Sequence, residues 1–233
     1  IVNLAKGLEM DTKMRMTEII EEILPGHPAG VLTGPNLAKE IHFGNAAAAV
    51  IAMVDDTIAD RLQSVFSSGL FRVYTNSDVI GCELGGALKN IIAIATGMGD
   101  GAAAGDNTRA AIITRGLAEL TRLGIAMGGK KSTFAGLAGM GDLVATCSSS
   151  QSRNHHVGFQ LGRGKSLDEI INEMNEVAEG VKTTKAVMEL ANEYNIDMPI
   201  TREIYKVLYQ GNTVNEAFRG LLTYEVGSEK EPG

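Results

Sequence analysis

One stretch, ELGGALKNIIAIATGMG at residues 83–99, constrains the chain more than any other. Its apolar residues run at helical spacing and are interleaved with glycine and alanine. That makes a helix with a surface thin enough for a second backbone or a small molecule to come close. Taken one turn at a time, Gly85, Lys89, Ala93 and Thr96 share a face, so Lys89 projects from a strip with almost no side-chain bulk. Two readings follow. Lys89 lays its stem on apolar surface and sends its charge to water, or it is an amine brought against a small molecule for proton transfer.

Composition narrows the class. With 233 residues, 44% of them hydrophobic and 21% charged, the chain can bury a large core in one domain or two smaller ones. No charge-free apolar run approaches the ~18 residues of a membrane span, and the first residues lack the basic, apolar, small-residue order of a signal peptide. A cytoplasmic protein without a membrane span is expected. A formal charge of -7 and a pI near 5.2 argue against a nucleic-acid partner. Cys82 and Cys147 form no metal-spaced pair and suit free thiols in a reducing compartment. His155 and His156 are adjacent and point in different directions on a helix, a poor metal pair, so no metal site is expected.

Two textures divide the chain. Over residues 1–78, strand patterns at 1–5, 29–33, 46–54 and 71–75 alternate with helical patterns near 14–24, 37–43 and 57–68. That rhythm predicts β-α-β units and a largely parallel sheet. Ligands collect beyond the carboxyl ends of such strands, where Lys6-Gly7 and Gly34-Pro35-Asn36 fall. From residue 79 onward strand signals fade, and helices are predicted at 79–99, 108–126, 155–162, 167–174, 181–194, 200–209 and 213–220. Thr213 with Glu216 reads as a capping box. The expected organisation is a partial nucleotide-binding domain over 1–78, an all-helical domain over 79–225 and a frayed tail over 226–233.

A β-α-β nucleotide-binding domain opens with a strand, a G-x-G-x-x-G turn and a helix. Nothing of that kind precedes Ile1, so the chain is expected to begin in mid-domain. The string GMGDG at 97–101 follows a helical pattern and is discounted for its context.

Gly34-Pro35-Asn36 sits between a predicted strand and a predicted helix. It is either a plain turn or a turn that leaves helix N–H groups for an anion. Lys6, at the end of the first strand, either faces a ligand or is a solvated loop lysine. In residues 134–158, glycines at 136, 139 and 141 thin the chain ahead of Asp142, and hydroxyls at 146, 148–150 and 152 lead into Arg153-Asn154 and a helix. An arginine fork beside a helix N-terminus and serine hydroxyls suits a phosphate monoester. The competing reading is a Gly/Ser-rich connecting loop. Asp142 either caps a helix or holds Lys89 or a substrate hydroxyl.

LAKGLEM, TGPNLAKEI, ELGGALKNIIAIATGMGDG, AGLAGMGDLVATC, QSRN and EVAEGVKTTKAV, in this order, resemble the glycerol-3-phosphate dehydrogenases that use NAD or NADP. The resemblance runs from Ile1 to about Leu222. It implies the C-terminal remainder of a Rossmann-like parallel-sheet domain, then an all-helical domain like that of 6-phosphogluconate dehydrogenase. It implies interconversion of dihydroxyacetone phosphate and glycerol 3-phosphate by a homodimer. Carried over by residue, it makes Lys89 the proton-transfer group, with Asp142 beside it in catalysis. Lys6, Gly34, Asn36, Asp142, Ser152, Arg153 and Asn154 become substrate contacts, and Lys6, Ala38, Arg153, Val177 and Glu179 contacts of the nicotinamide nucleotide. Asn36 stands where serine or threonine is common, and His155-His156 replace a frequent arginine pair. The alternative is a non-catalytic helical module for phosphate binding or dimerisation.

Overall fold

The computed structural model describes residues 1–174 and 178–224, which fall into two compact units: 1–87 with 124–145, and 88–123 with 146–174 and 178–224. The expected boundary at 78/79 coincides with the start of a long helix that supplies residues to both units.

In the first unit, β1 (Val2–Asn3), β2 (Gly30–Thr33), β3 (Ala47–Met53) and β4 (Phe71–Asn76) form one sheet in that order. α1 (Met16–Ile23), α2 (Ala38–His42) and α3 (Asp56–Phe66) lie between successive strands. β1–β2 and β3–β4 are parallel, but β2–β3 is antiparallel, with Gly30 opposite Met53 and Thr33 opposite Val50. Helix length accounts for this departure from the parallel expectation. At ~1.5 Å per residue, the five-residue α2 cannot carry the chain back along a strand as α3 does. β1 is shorter than the strand pattern predicts because Asn3 closes a turn: its side chain donates to the Ala5 carbonyl and accepts from the Ala5 N–H.

Alternation along the strands gives the sheet two apolar faces. Leu32, Ala49, Ile51, Met53 and Val73 pack with Ala59 of α3. Val31, Val50 and Ala52 pack instead with Val79, Cys82, Leu137 and Ala138. Val79 opens α4 (Val79–Gly101), whose first turn is held by Asp78: Oδ1 accepts from Gly81 N, and Oδ2 from Lys130 N and Thr133 Oγ1. α4 is long and apolar enough to cross a membrane by length and composition, yet 94% of its apolar window is buried inside the protein. Burying each of Leu84, Leu88, Ile91, Ile92 and Ile94 contributes ~1.5–3 kcal/mol.

Residues 134–158, thin in sequence, are mostly helical. α5 (Asp106–Ala126) is followed by α6 (Lys131–Phe134), a π-helical turn at Leu137–Gly141 and α7 (Asp142–Ser148). A Cβ on Gly85 would stand 2.6 Å from the Ala138 carbonyl oxygen, so a backbone does come close to the small-residue strip of α4.

The second unit completes its core with α8 (Arg153–Gly162), α9 (Leu167–Glu173), α10 (Glu179–Glu193), α11 (Pro199–Tyr209) and α12 (Val214–Leu222). The predicted Thr213–Glu216 capping box opens α12. α11 opens in a different way: Pro199 at its first position has no N–H, and Glu119 of α5 accepts from Ile200 N, Thr201 N and Thr201 Oγ1. The tail expected at 226–233 lies outside the described residues.

Candidate functional site

In the first unit the polar groups gather on Lys6. The Asn3–Ala5 turn ends β1 and delivers Lys6 toward the loop after β2. There its ammonium donates to Gly34 O at 3.0 Å, Asn36 Oδ1 at 2.9 Å and Asp142 Oδ2 at 2.7 Å. The Lys6 side chain is 20% exposed and that of Asp142 only 4%, so the pair is largely withdrawn from water. Gly34 takes φ +125°, and a Cβ there would stand 3.2 Å from Ala49 Cα. Glycine is required on both counts. Behind Lys6 lies the Thr33 hydroxyl, fully buried and without a hydrogen-bond partner among the described residues. It stands 2.9 Å from where a Cβ on Gly86 would be, and the Lys6 stem passes 3.4 Å from the same point.

In the second unit Lys89 is 5% exposed, and its ammonium donates to Thr146 Oγ1 at 2.5 Å. It does not reach out to water, and the snorkelling reading fails. Ser152 caps α8, its hydroxyl accepting from His155 N, and leaves Arg153 exposed on the first turn. Asn154 is buried and accepts the N–H of Gly180 at the start of α10. The two histidines diverge as expected: His155 Nε2 meets Asp100 Oδ2 at 2.7 Å, while His156 is exposed. Asp100 also accepts from Arg109 Nε and Nη2, and these residues line an open cleft of about 440 Å³ with Ala103, Gly105 and Phe159.

Ala38 and Glu179 are exposed, at the starts of α2 and α10. Val177 lies outside the described residues. Two participants escaped the sequence reading. In the sequence Thr146 stands among the loop hydroxyls, and the signal that marks it is its position one helical turn after Asp142. Glu119, a lone acid on the buried side of α5 beside Leu120 and Leu123, is pushed up to about 7 by burial, against the Ile200 and Thr201 donors that favour its charged form. Burial, helped by the negative charges of Asp78 and Glu83, pushes the Cys82 thiol up to about 12 and makes it inert.

Comparison with known proteins settles the family. Residues 78–219 match the C-terminal region of NAD-dependent glycerol-3-phosphate dehydrogenase, and residues 1–59 match its N-terminal region. The chain belongs to this family. It is 61% identical, over all of its length and 70% of the relative, to glycerol-3-phosphate dehydrogenase 2, NAD(P)+, of Sphingopyxis alaskensis. It is 57% identical to the corresponding Mycobacterium avium enzyme over 98% of this chain and 67% of that one. The crystal structure of glycerol-3-phosphate dehydrogenase from Coxiella burnetii superposes with a TM-score of 0.92 at 38% identity, covering 96% of this chain and 68% of that one. The chain is thus an oxidoreductase of a family that uses NAD or NADP.

Arg153 is exposed at the start of α8 and Lys6 is half-buried after β1, and each is a cation of the kind that pairs with phosphate oxygens. GMGDG lies inside α4 and cannot cradle a pyrophosphate, and no G-x-G-x-x-G occurs in residues 1–233.

Proposed function

We propose that the reaction is the interconversion of dihydroxyacetone phosphate and sn-glycerol 3-phosphate, supplying glycerol phosphate for phospholipid synthesis in the cytoplasm as a homodimer. The observation that carries the reading is Lys89: a lysine held out of water on an apolar helix, with its ammonium fixed by the Thr146 hydroxyl. A bound nicotinamide supplies or takes the hydride. The remaining demands fall on side chains. Lys89 gives a proton to the C2 oxygen as dihydroxyacetone phosphate is reduced, and takes it back when glycerol 3-phosphate is oxidised. Asp142 assists in positioning. Lys6, Gly34 and Asn36 face the substrate. Arg153, with Ser152 and Asn154 fixing the start of α8, anchors the phosphate through its planar fork. On the cofactor side the reading places Lys6, Ala38, Arg153, Val177 and Glu179. In domain terms, residues 1–78 serve the nucleotide and 79–225 the substrate.

The test is the rate of NAD+ and NADP+ reduction with sn-glycerol 3-phosphate, against glycerol, short hydroxyacids and sugar phosphates as controls. Turnover confined to glycerol 3-phosphate is the expected result. A preference for another hydroxyl substrate would overturn the substrate assignment. A polypeptide of residues 1–233 alone, holding no Gly-rich turn for the pyrophosphate, is expected to bind neither dinucleotide measurably in calorimetry and to show no activity.

A further inference from the structure

We propose that His155 is a positioning residue that sets the span between Lys89 and Arg153 and so selects the length of the substrate. This rests on the reading that Lys89 serves the C2 oxygen and Arg153 the phosphate. Both residues lie in the same compact unit, Lys89 on α4 and Arg153 at the first position of α8. The two helices touch backbone to backbone. A Cβ on Gly158 would clash with the Ile94 carbonyl oxygen, and one turn further along α8 a Cβ on Gly162 would clash with that of Met98, one turn further along α4. Contact therefore advances in the same direction on both helices, and the N-terminus of α8 lies back toward Lys89. Gly180 at the start of α10 shows how close it comes. A Cβ there would stand 2.7 Å from Asn154 Oδ1 and 2.8 Å from Asn90 O, so the chain neighbours of Arg153 and Lys89 flank one point.

Faces so bare fix how near the helices come, but they present few ridges to stop one helix from sliding along the other. A polar tie does that. His155 Nε2 meets Asp100 Oδ2 at 2.7 Å, and since a carboxylate only accepts, the ring nitrogen donates. Asp100 is held in turn by the Arg109 guanidinium on α5, which donates to Oδ1 through Nε and Nη2. The side chains of His155 and Asp100 are 16% and 15% exposed, so little water competes for the bond. His155 shares the first turn of α8 with Arg153. A slip at His155 is a slip at Arg153, and it changes the distance over which one molecule must reach from guanidinium to ammonium.

The experiment compares, at saturating dinucleotide, kcat/KM of the active enzyme for sn-glycerol 3-phosphate and for 3,4-dihydroxybutyl phosphate, which carries one more methylene between the reacting hydroxyl and the phosphate. His155→Ala is expected to lower the preference for glycerol 3-phosphate roughly tenfold, within the range that a single methylene can be worth, while thermal melting shows a folded protein. His155→Gln, whose amide nitrogen can donate to Asp100, should restore most of that preference. A merely structural role would depress both substrates alike and leave their ratio unchanged. That outcome overturns the proposal, as does a ratio that falls in His155→Ala and stays equally low in His155→Gln. Arg153→Lys tests the layer beneath. A KM for glycerol 3-phosphate equal to the parent's would remove the phosphate assignment itself, whereas a raised KM beside an unchanged ratio in His155→Ala removes only the positioning by His155.

Discussion

The two units hold their lysines in opposite ways. Lys6 stands where the turn after β1, the loop after β2 and the start of α7 meet, and it is shared among a carbonyl, an amide and a carboxylate. Lys89 stands in the middle of a buried helix, and its place is set by the packing of α4 before any polar partner acts. The first lysine is positioned by its hydrogen bonds and the second by its backbone. Removing Lys6 takes a charge partner from the buried Asp142, whereas replacing Lys89 with an apolar residue of similar length keeps the packing that located it.

That contrast is sharpest for Lys89→Met, which keeps most of the stem volume and removes the proton. Turnover should fall ~10²–10⁴-fold, the usual worth of a general acid, at a melting temperature close to the parent's. A rate within a few-fold of the parent, at equal stability, would break the comparison and reduce Lys89 to a packing residue.

Glu119 extends the contrast to carboxylates. Asp142 is compensated by a cation, while Glu119 relies on helix N–H groups and a hydroxyl. Its folded value of about 7 exceeds the usual value of 4.5, so between these pH values the folded state keeps a proton that the unfolded chain has lost. The contribution of this group to stability therefore declines as pH rises from about 4.5 to 7. Glu119→Gln, which resembles the protonated acid, should flatten that slope in urea midpoints measured across the interval. An unchanged slope would show that Glu119 titrates in the folded state as it does in the unfolded one.

The smallest effect belongs to Thr33. Its buried hydroxyl has no partner among the described residues, and Thr33→Val replaces it with a methyl of nearly the same shape. Stability should rise by about 1 kcal/mol, read as a higher urea midpoint. A drop would mean that the hydroxyl is satisfied in solution.

Much of this was legible in the sequence. Strand–helix rhythm located β2, β3, β4 and the helices around them, because alternation and 3.6-residue periods report directly which side chains face a core. Lys89 stood out because a charge inside an apolar run needs a reason. The β2–β3 reversal was not legible as pattern, since it depends on the length of α2 rather than on its composition. α6 and α7 were hidden by glycines that break the apolar period while a π-turn keeps the chain helical. Pairings such as Lys6 with Asp142, 136 residues apart, and Glu119 with Ile200 leave no periodic trace at all.

The start of α11 has a dynamic consequence. Amides in the first turn of a helix ordinarily exchange with solvent deuterium fastest, because they have no partner within the helix. Here the first residue is proline, the next two amides are taken by Glu119, and Arg202 N already bonds to Met198 O. The end of α11 that should fray is therefore closed. Its opening is coupled to α5, 81 residues earlier in the chain, and Ile200 and Thr201 should exchange as interior amides do, together with the residues around Glu119.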